Sequence, residues 1–396
     1  MPTRVGLGGL GAVAVTYGFA RYGYGLFVPV LREQFGLSTP MLGVLASASY
    51  AAYLAMLVGS GVAAARTGPR VPVVIGSLSA AAGMAIIAVA QSWPVLALGV
   101  VVAGSSAGWS WAPFSDAVAR MVDDDSQART LSVISTGTTF GLATAAPIAV
   151  LAGASWRPAW WAFAATALAT AAYNTWLLPT GTPTHDGSLP RLRVAWFVCP
   201  RSGPLLAFAF AFMLAGTVYL TFAVDLVRAG GLTGAAGPVL WLVMGVAGLA
   251  GIAGGDLITR YGRMPTHRVT VLALAASIAA LAVAPGSWSV LIVSAVLFGA
   301  GYMIAGALLS VWSSRVFADR PAVGFTATIL AGSLGSIAGP AAAGVMATRV
   351  GMAGTFLVLG VATALSVIIR PAATDRRDRQ RSSITLCPSA REHPGT

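Results

Sequence analysis

The chain has 396 residues, of which 57% are hydrophobic and only 9% charged, far below the roughly 25% charged residues of an ordinary soluble domain. A water-soluble fold is therefore excluded. All 24 basic residues are arginine, for a net charge of +12, and a chain without lysine cannot carry the phosphate-cradling GK[ST] loop of an ATP-driven pump.

At about 20 apolar residues per spanning helix, this length accommodates about twelve spans and leaves little for a soluble domain. Apolar runs punctuated by Gly, Pro and Arg predict spans over 5–31, 40–65, 71–90, 94–114, 130–152 and 158–178, forming a first six-helix half within 1–178. The first run follows a single arginine, Arg4, and exceeds the roughly 7–15 apolar residues of a signal-peptide core, so it reads as a retained helix. Asp123, Asp124, Asp125 and Ser126 precede the fifth span, where carboxylates suit the positive helix end. A polar stretch over 179–203 reads as a central linker. The second half, 204–370, holds predicted spans over 204–226, 234–255, 268–285, 290–312, 322–346 and 352–369, and 371–396 is a basic tail. This is an all-α membrane protein of two six-helix pseudo-symmetric halves.

With both termini placed in the cytoplasm, the arginines outside are Arg32, Arg157, Arg228 and Arg349, Arg21 lies within a span, and all others face inward. That bias is the positive-inside rule, and it makes the net charge a topology signal rather than a sign of nucleic acid. The expected location is the plasma membrane, multi-pass. Cys199 and Cys387 fall in polar segments on the reducing side, so no disulfide is expected.

A repeat organises the chain. Gly61, Arg66 and Gly68 recur as Gly255, Arg260 and Gly262, Ser92-Trp93 recurs as Ser287-Trp288, and Gly141 aligns with Gly335, all at an offset close to half the 396 residues. Units with an even number of spans must be parallel repeats about the membrane normal, an arrangement that places a solute site between halves near the midplane.

The segments from Gly61 to Arg70 and from Gly255 to Arg263 resemble the signature of the major facilitator superfamily, G-x-x-x-D-R-x-G-R-R between helices 2 and 3, with a weaker copy between helices 8 and 9. The resemblance covers nearly the whole chain and implies alternating access by rocking of two halves, with helices 1, 4, 7 and 10 around the cavity. Gly61, Arg66, Gly68, Arg70, Gly255, Arg260, Gly262 and Arg263 would then form gating turns, and plain anchoring by positive charge is the alternative for Arg70 and Arg263. Ala65 and Thr259 stand where the signature has aspartate, and Val100 stands about where proton-driven drug antiporters have an arginine; these departures speak against drug/proton antiport. The segment Gly18-Phe-Ala-Arg21-Tyr22-Gly-Tyr24 also resembles a bacterial branch of that superfamily with an arginine early in helix 1.

Arg21 lies about 21 Å beyond Leu7 at 1.5 Å per residue, well inside the hydrocarbon depth. An arginine there costs at least about 2.5–3.5 kcal/mol on insertion scales, so it should face the interior and have a partner. Tyr17, Arg21 and Tyr24 share one face at α-helical spacing, and a guanidinium fork flanked by phenols suits a carboxylate or phosphate with an organic body; the structural alternative is a helix-capping arginine. Tyr50, Tyr53 and Trp241 are further aromatics able to line a cavity, with Trp109, Tyr219 and Tyr302 favoured as members of the helices that the resemblance puts around it. Trp93, Trp156 and Trp288 suit interface anchors. Asp225 and Asp116 are the candidate proton-coupling carboxylates; the competing readings are an i, i+3 surface pair of Asp225 with Arg228 and an interfacial Asp116.

His185, His267 and His393 all fall in polar segments, and nothing is equipped for catalysis or metal binding. No cofactor, metal or nucleic-acid partner is expected. The expectation is a monomeric transporter of a small organic, anionic solute, with protons as a candidate coupling ion and the bilayer as its other partner. Efflux of amphipathic compounds, and a non-transporting receptor on a transporter fold, are the alternatives.

Overall fold

The computed structural model describes residues 2–152, 155–181, 202–317 and 321–369. Among these residues the chain forms twelve helical rods and no strand. In the first half α1 covers 2–35, α2 is Thr39–Thr67, α3 is Arg70–Val89, α4 is Trp93–Met121, α5 is Asp124–Ala152 and α6 is Arg157–Leu177. In the second half α7 is Ser202–Ala229, α8 is Ala236–Tyr261, α9 is Arg263–Val283 and α10 is Trp288–Val316. The last helical run, Pro321–Leu365, is two spans bent at Gly351, whose φ is 72°; α11 precedes that glycine and α12 follows it. The expectations for 182–201 and 370–396, including Cys199, Cys387, His185, His393, most of the linker and the basic tail, lie outside the described residues.

Helices overrun the apolar limits read from sequence because polar turns continue them. Thus α4 extends through Asp116 to Met121, and Asp124 and Asp125 form the first turn of α5. The two halves reproduce each other at the repeated residues. Gly68 and Gly262 end α2 and the last segment of α8 with φ of 78° and 87°, each donating its backbone N–H to the carbonyl four residues earlier, Ala64 or Ile258. A side chain there would meet the steric penalty of positive φ. Ser92 and Ser287 likewise stand before α4 and α10, followed by Trp93 and Trp288, which are half exposed at 50% and 43%. In the first half α3 lies against α4 and α6; in the second, α9 lies against α10 and α12.

The halves meet from mid-bundle to the face opposite the helix-1 start, called here the far face. Three helix pairs make most of this contact: α1 with α7, α2 with α11, and α5 with α8. Each approach depends on missing side chains. Gly25 of α1 sits directly on the Leu220 carbonyl, Gly43 of α2 on the Pro340 carbonyl, and Gly245 of α8 on the Ala143 backbone. The Ala341 amide of α11 donates to Ser47 Oγ of α2 at 3.0 Å. One buried apolar cluster runs through both halves, whereas a second, built on Val5, Val13, Val73, Phe114, Val118 and Ile134, contains first-half residues alone and fills the end near the helix-1 start. Packing is thus shared between the halves toward the far face and separate at the other end.

The packing corrects two expectations. Trp156 is 5% exposed and donates from Nε1 to Gln34 Oε1 at 2.6 Å, so it is an interior lock rather than an interface anchor. Sequence neighbours put His267 in a polar segment, but it is fully buried in the first turns of α9, edge-on to Phe208 and Trp312 at 4.7 and 6.1 Å.

Candidate functional site

Helix α1 is not a regular α-helix. It runs as an α-helix over Pro2–Val13, widens to a π-helix over Ala14–Tyr22 and returns to α-helix over Gly23–Phe35, with Pro29 inside the last part. Wide turns of this kind are rare and recur at functional sites. The widened turn is clamped by α5, where Gly18 and Gly141 face each other in backbone contact.

Arg21 lies in this turn, 7% exposed, and its guanidinium is surrounded by phenol rings. The guanidinium carbon stands 3.8 Å from the centroid of Tyr53, 4.8 Å from Tyr50, 5.4 Å from Tyr22 and 5.5 Å from Tyr17. Tyr17 also packs edge-on against Tyr53 at 6.1 Å. Ring faces stabilise a desolvated cation by about 0.5–2 kcal/mol each, enough in sum to offset the cost of burying an arginine. They do not neutralise it. Arg21 Nε has no hydrogen-bond partner, and no carboxylate pairs with this arginine among the described residues.

The π-turn redistributes the aromatic residues. Extra residues in that turn rotate the chain beyond it, so Tyr22 joins the cage and Tyr24 leaves it; Tyr24 instead points its hydroxyl toward the Leu42 carbonyl at 3.4 Å. The α-helical spacing that grouped Tyr24 with Tyr17 and Arg21 therefore does not hold. Of the aromatics favoured from sequence, Tyr302 reaches the cage, its hydroxyl 3.5 Å from that of Tyr22 across the two halves. Trp109 packs instead on Gly76 of α3, near Gly59 of α2. Tyr219 is fully buried inside the second half, bonded to Ser294 Oγ at 2.8 Å and stacked on Phe298 at 3.8 Å. The cage is completed by Tyr50 and Tyr53 from α2, which the sequence offered without preference.

A second charged cluster closes the far face. Arg32 at the end of α1 donates from Nη2 to Asp225 Oδ2 of α7 at 2.8 Å and to Thr39 Oγ1 at 3.0 Å. Beside it, Arg228 Nη2 lies 2.9 and 3.1 Å from the two oxygens of Glu33. The expected i, i+3 pairing of Asp225 with Arg228 is thus replaced by two pairs that cross between halves. Helical neighbours of opposite charge found partners on the facing helix because α1 and α7 approach at Gly25. Asp225 is 8% exposed. Asp116, by contrast, is exposed on α4 and makes no ion pair among the described residues.

Of the motif residues, Gly68 and Gly262 occupy the turns themselves, whereas Gly61 and Arg66 lie in the last turns of α2, Gly255 and Arg260 lie in the last segment of α8, and Arg70 and Arg263 begin α3 and α9. Arg66 and Arg260 are exposed, Arg70 and Arg263 are half-buried, and the Arg260 guanidinium lies 5.4 Å from the Tyr261 ring. Gly61 and Gly255 have open space where a Cβ would stand. Among the described residues no group of His, Cys, Asp and Glu is arranged to hold a metal ion.

The family model described as Major Facilitator Superfamily matches residues 10–336. The chain belongs to the Major Facilitator Superfamily. It is accordingly a multi-pass membrane transport protein and not an enzyme. Among solved structures, this facilitator is similar to a bacterial homologue of the human lysosomal transporter Spinster in an inward-facing and occupied conformation, at 15% identity over 93% of this chain and 95% of that one, with a TM-score of 0.73. It is also similar to a point variant of the nucleoside transporter NupG, at 13% identity over 93% and 98% of the two chains, with a TM-score of 0.73. At these identities the likeness is one of fold. No curated relative matches the chain significantly.

Proposed function

We propose that this facilitator carries a small organic anion by alternating access, with the anion bound at Arg21. The observation that carries the reading is a buried guanidinium with an unpartnered Nε, ringed by four phenols and lacking a carboxylate partner among the described residues. Ionisable groups at such depth face an interior path and pair with something, and a forked cation pairs best with a carboxylate or phosphate. A solute that completes this pair is bound by charge while the rings hold its organic part.

The crossed pairs Arg32–Asp225 and Glu33–Arg228 then serve as a latch between α1 and α7 that must break when the far face opens. Because Arg21 and Arg32 lie on the same helix, a solute that moves α1 acts on the latch directly. Of the two candidate coupling carboxylates, Asp225 is favoured, since its protonation would release Arg32. With both termini in the cytoplasm, the far face is the outer one and this state is closed to the outside.

The test is thermal unfolding of the detergent-purified protein against organic anions, neutral sugars and amphipathic cations, beside Arg21→Gln. A ligand at about 100 times its Kd stabilises by about 2.7 kcal/mol. Stabilisation by anions that vanishes in a folded Arg21→Gln supports the site. Equal responses in both proteins make Arg21 structural, and stabilisation by amphipathic cations alone favours efflux.

A further inference from the structure

The charge and ring content around Arg21 define the solute more narrowly. We infer that it is a monoanion whose uncharged part is a planar ring seated against Phe212, Phe298 and Tyr302 of the second half; this rests on the reading of Arg21 as the anion site.

Charge sets the first limit. One guanidinium, with no acid beside it among the described residues, neutralises one negative charge. A dianion would leave a second charge buried and unpaired, and a zwitterion would leave its ammonium without a carboxylate; either costs several kcal/mol in a dry site. The span carboxylates stand toward helix ends, as Asp225 does in the latch and Asp256 does in the last segment of α8.

Hydrogen bonding sets the second. Sugar-like solutes need a dense set of amides and acids, and here those groups are committed elsewhere. The Asn174 amide donates to the Gly8 carbonyl at 3.2 Å, and Gln34 accepts from Trp156. Phenols surround Arg21 instead.

The wall that faces the cage selects a flat ring. Tyr302 is half-buried, its hydroxyl touching Tyr22 of the first half and Met213 Sδ at 3.5 Å. Its ring stacks on Phe298 at 5.4 Å with 12° between planes and lies 4.9 Å from Phe212. The series continues to Tyr219 on one side and Phe208 on the other. Gly216 has no side chain where the Tyr302 ring lies, and two small voids of about 10 Å³ flank that ring. Each void is about the size of a single water, so space for a solute ring arises only when the halves part and Tyr302 moves away from Gly216. A planar solute ring can add to the stack as Tyr302 shifts, whereas a puckered ring cannot lie flat on it.

The experiment is binding of benzoate, cyclohexanecarboxylate, phthalate, phenylalanine and benzylamine to the purified full chain, by calorimetry and thermal unfolding. Benzoate and cyclohexanecarboxylate match in charge and approximate size, so their ratio isolates the planar ring. Aromatic pairing is worth about 0.5–1.5 kcal/mol, and benzoate should bind about 2- to 12-fold more tightly, with no binding of phthalate, phenylalanine or benzylamine. Tyr302→Leu should bring the ratio to one, and Tyr302→Phe should keep it; Phe212→Leu gives the same readout should Tyr302→Leu fail to fold. Equal affinity for the two monoanions, or an unchanged ratio in a folded leucine variant, overturns the ring. Tighter binding of phthalate overturns the monoanion. In each of those cases an Arg21-dependent anion site still stands, whereas binding of no anion removes both readings.

Discussion

Asp225→Asn should release the far face. In the closed state the Asp225 side chain is 10% exposed and that of Arg32 is 32% exposed, 2.8 Å apart. Removing one partner of a fully buried pair costs about 3–5 kcal/mol. The partial exposure of Arg32 and its second bond to Thr39 reduce this to about 1–3 kcal/mol. In the open state both groups are hydrated, so the whole loss falls on the closed state and shifts the equilibrium about 5- to 150-fold toward opening. The neighbouring pair, with side chains 41% and 61% exposed, is worth at most about 1 kcal/mol, and Arg228→Gln should shift the equilibrium only a few-fold. Spin labels at Gln91→Cys and Thr233→Cys, one exposed site on each half, read the separation after Cys199 and Cys387 are replaced by serine. Asp225→Asn should populate a longer distance, and the exchanged pair Arg32→Asp with Asp225→Arg should restore the short one. If Asp225→Asn leaves the distances unchanged, or if Arg228→Gln shifts them as much, the latch assignment is wrong.

Three further sets of substitutions probe other contacts. Gly25→Ala places a methyl group on the Leu220 carbonyl and should destabilise the closed far face by about 1–3 kcal/mol, seen with the same labels as opening without any change of charge. Tyr53→Leu should lower stability by about 0.5–2 kcal/mol by removing the ring nearest Arg21, while Tyr53→Phe, which keeps the ring face, should match the wild type in thermal unfolding. Gly262→Ala should cost about 1–3 kcal/mol because the position needs a glycine-only backbone conformation, and Gly68→Ala should cost more, because its methyl group would also meet the Gly181 carbonyl; equal losses in thermal unfolding would contradict that contact.

The plan of the molecule was legible because a membrane constrains it so strongly. Twenty-residue apolar runs, arginine asymmetry and a half-length repeat leave few folds, and the repeated Gly68 and Gly262 mark equivalent turns for a backbone reason that any sequence shows. The burial of Arg21 followed from cost alone, since no snorkelling path exists from that depth. Three things were not legible. A π-turn leaves no signature in composition, so α-helical spacing puts Tyr24 in the place that Tyr22 takes. Pairing across a helix interface depends on where two helices touch, and spacing alone makes Asp225 and Arg228 partners along one helix. A signal was present, however: Arg32-Glu33 and Asp225 to Arg228 carry opposite charge order at the ends of equivalent helices. Lastly, His267 and Trp156 look polar or interfacial by their sequence neighbours, yet are covered by Phe208 and Trp312 in one case and held by Gln34 in the other, contacts made by segments distant in sequence.

The centre of the proposed mechanism is an anion that pairs with Arg21 while it is carried across. Uptake of radiolabelled benzoate into proteoliposomes, for the wild type and for a folded Arg21→Gln, tests it most directly. Transport through Arg21 predicts protein-dependent uptake that competing monoanions inhibit and that falls to the protein-free rate in Arg21→Gln. Uptake that survives unchanged in Arg21→Gln would contradict it.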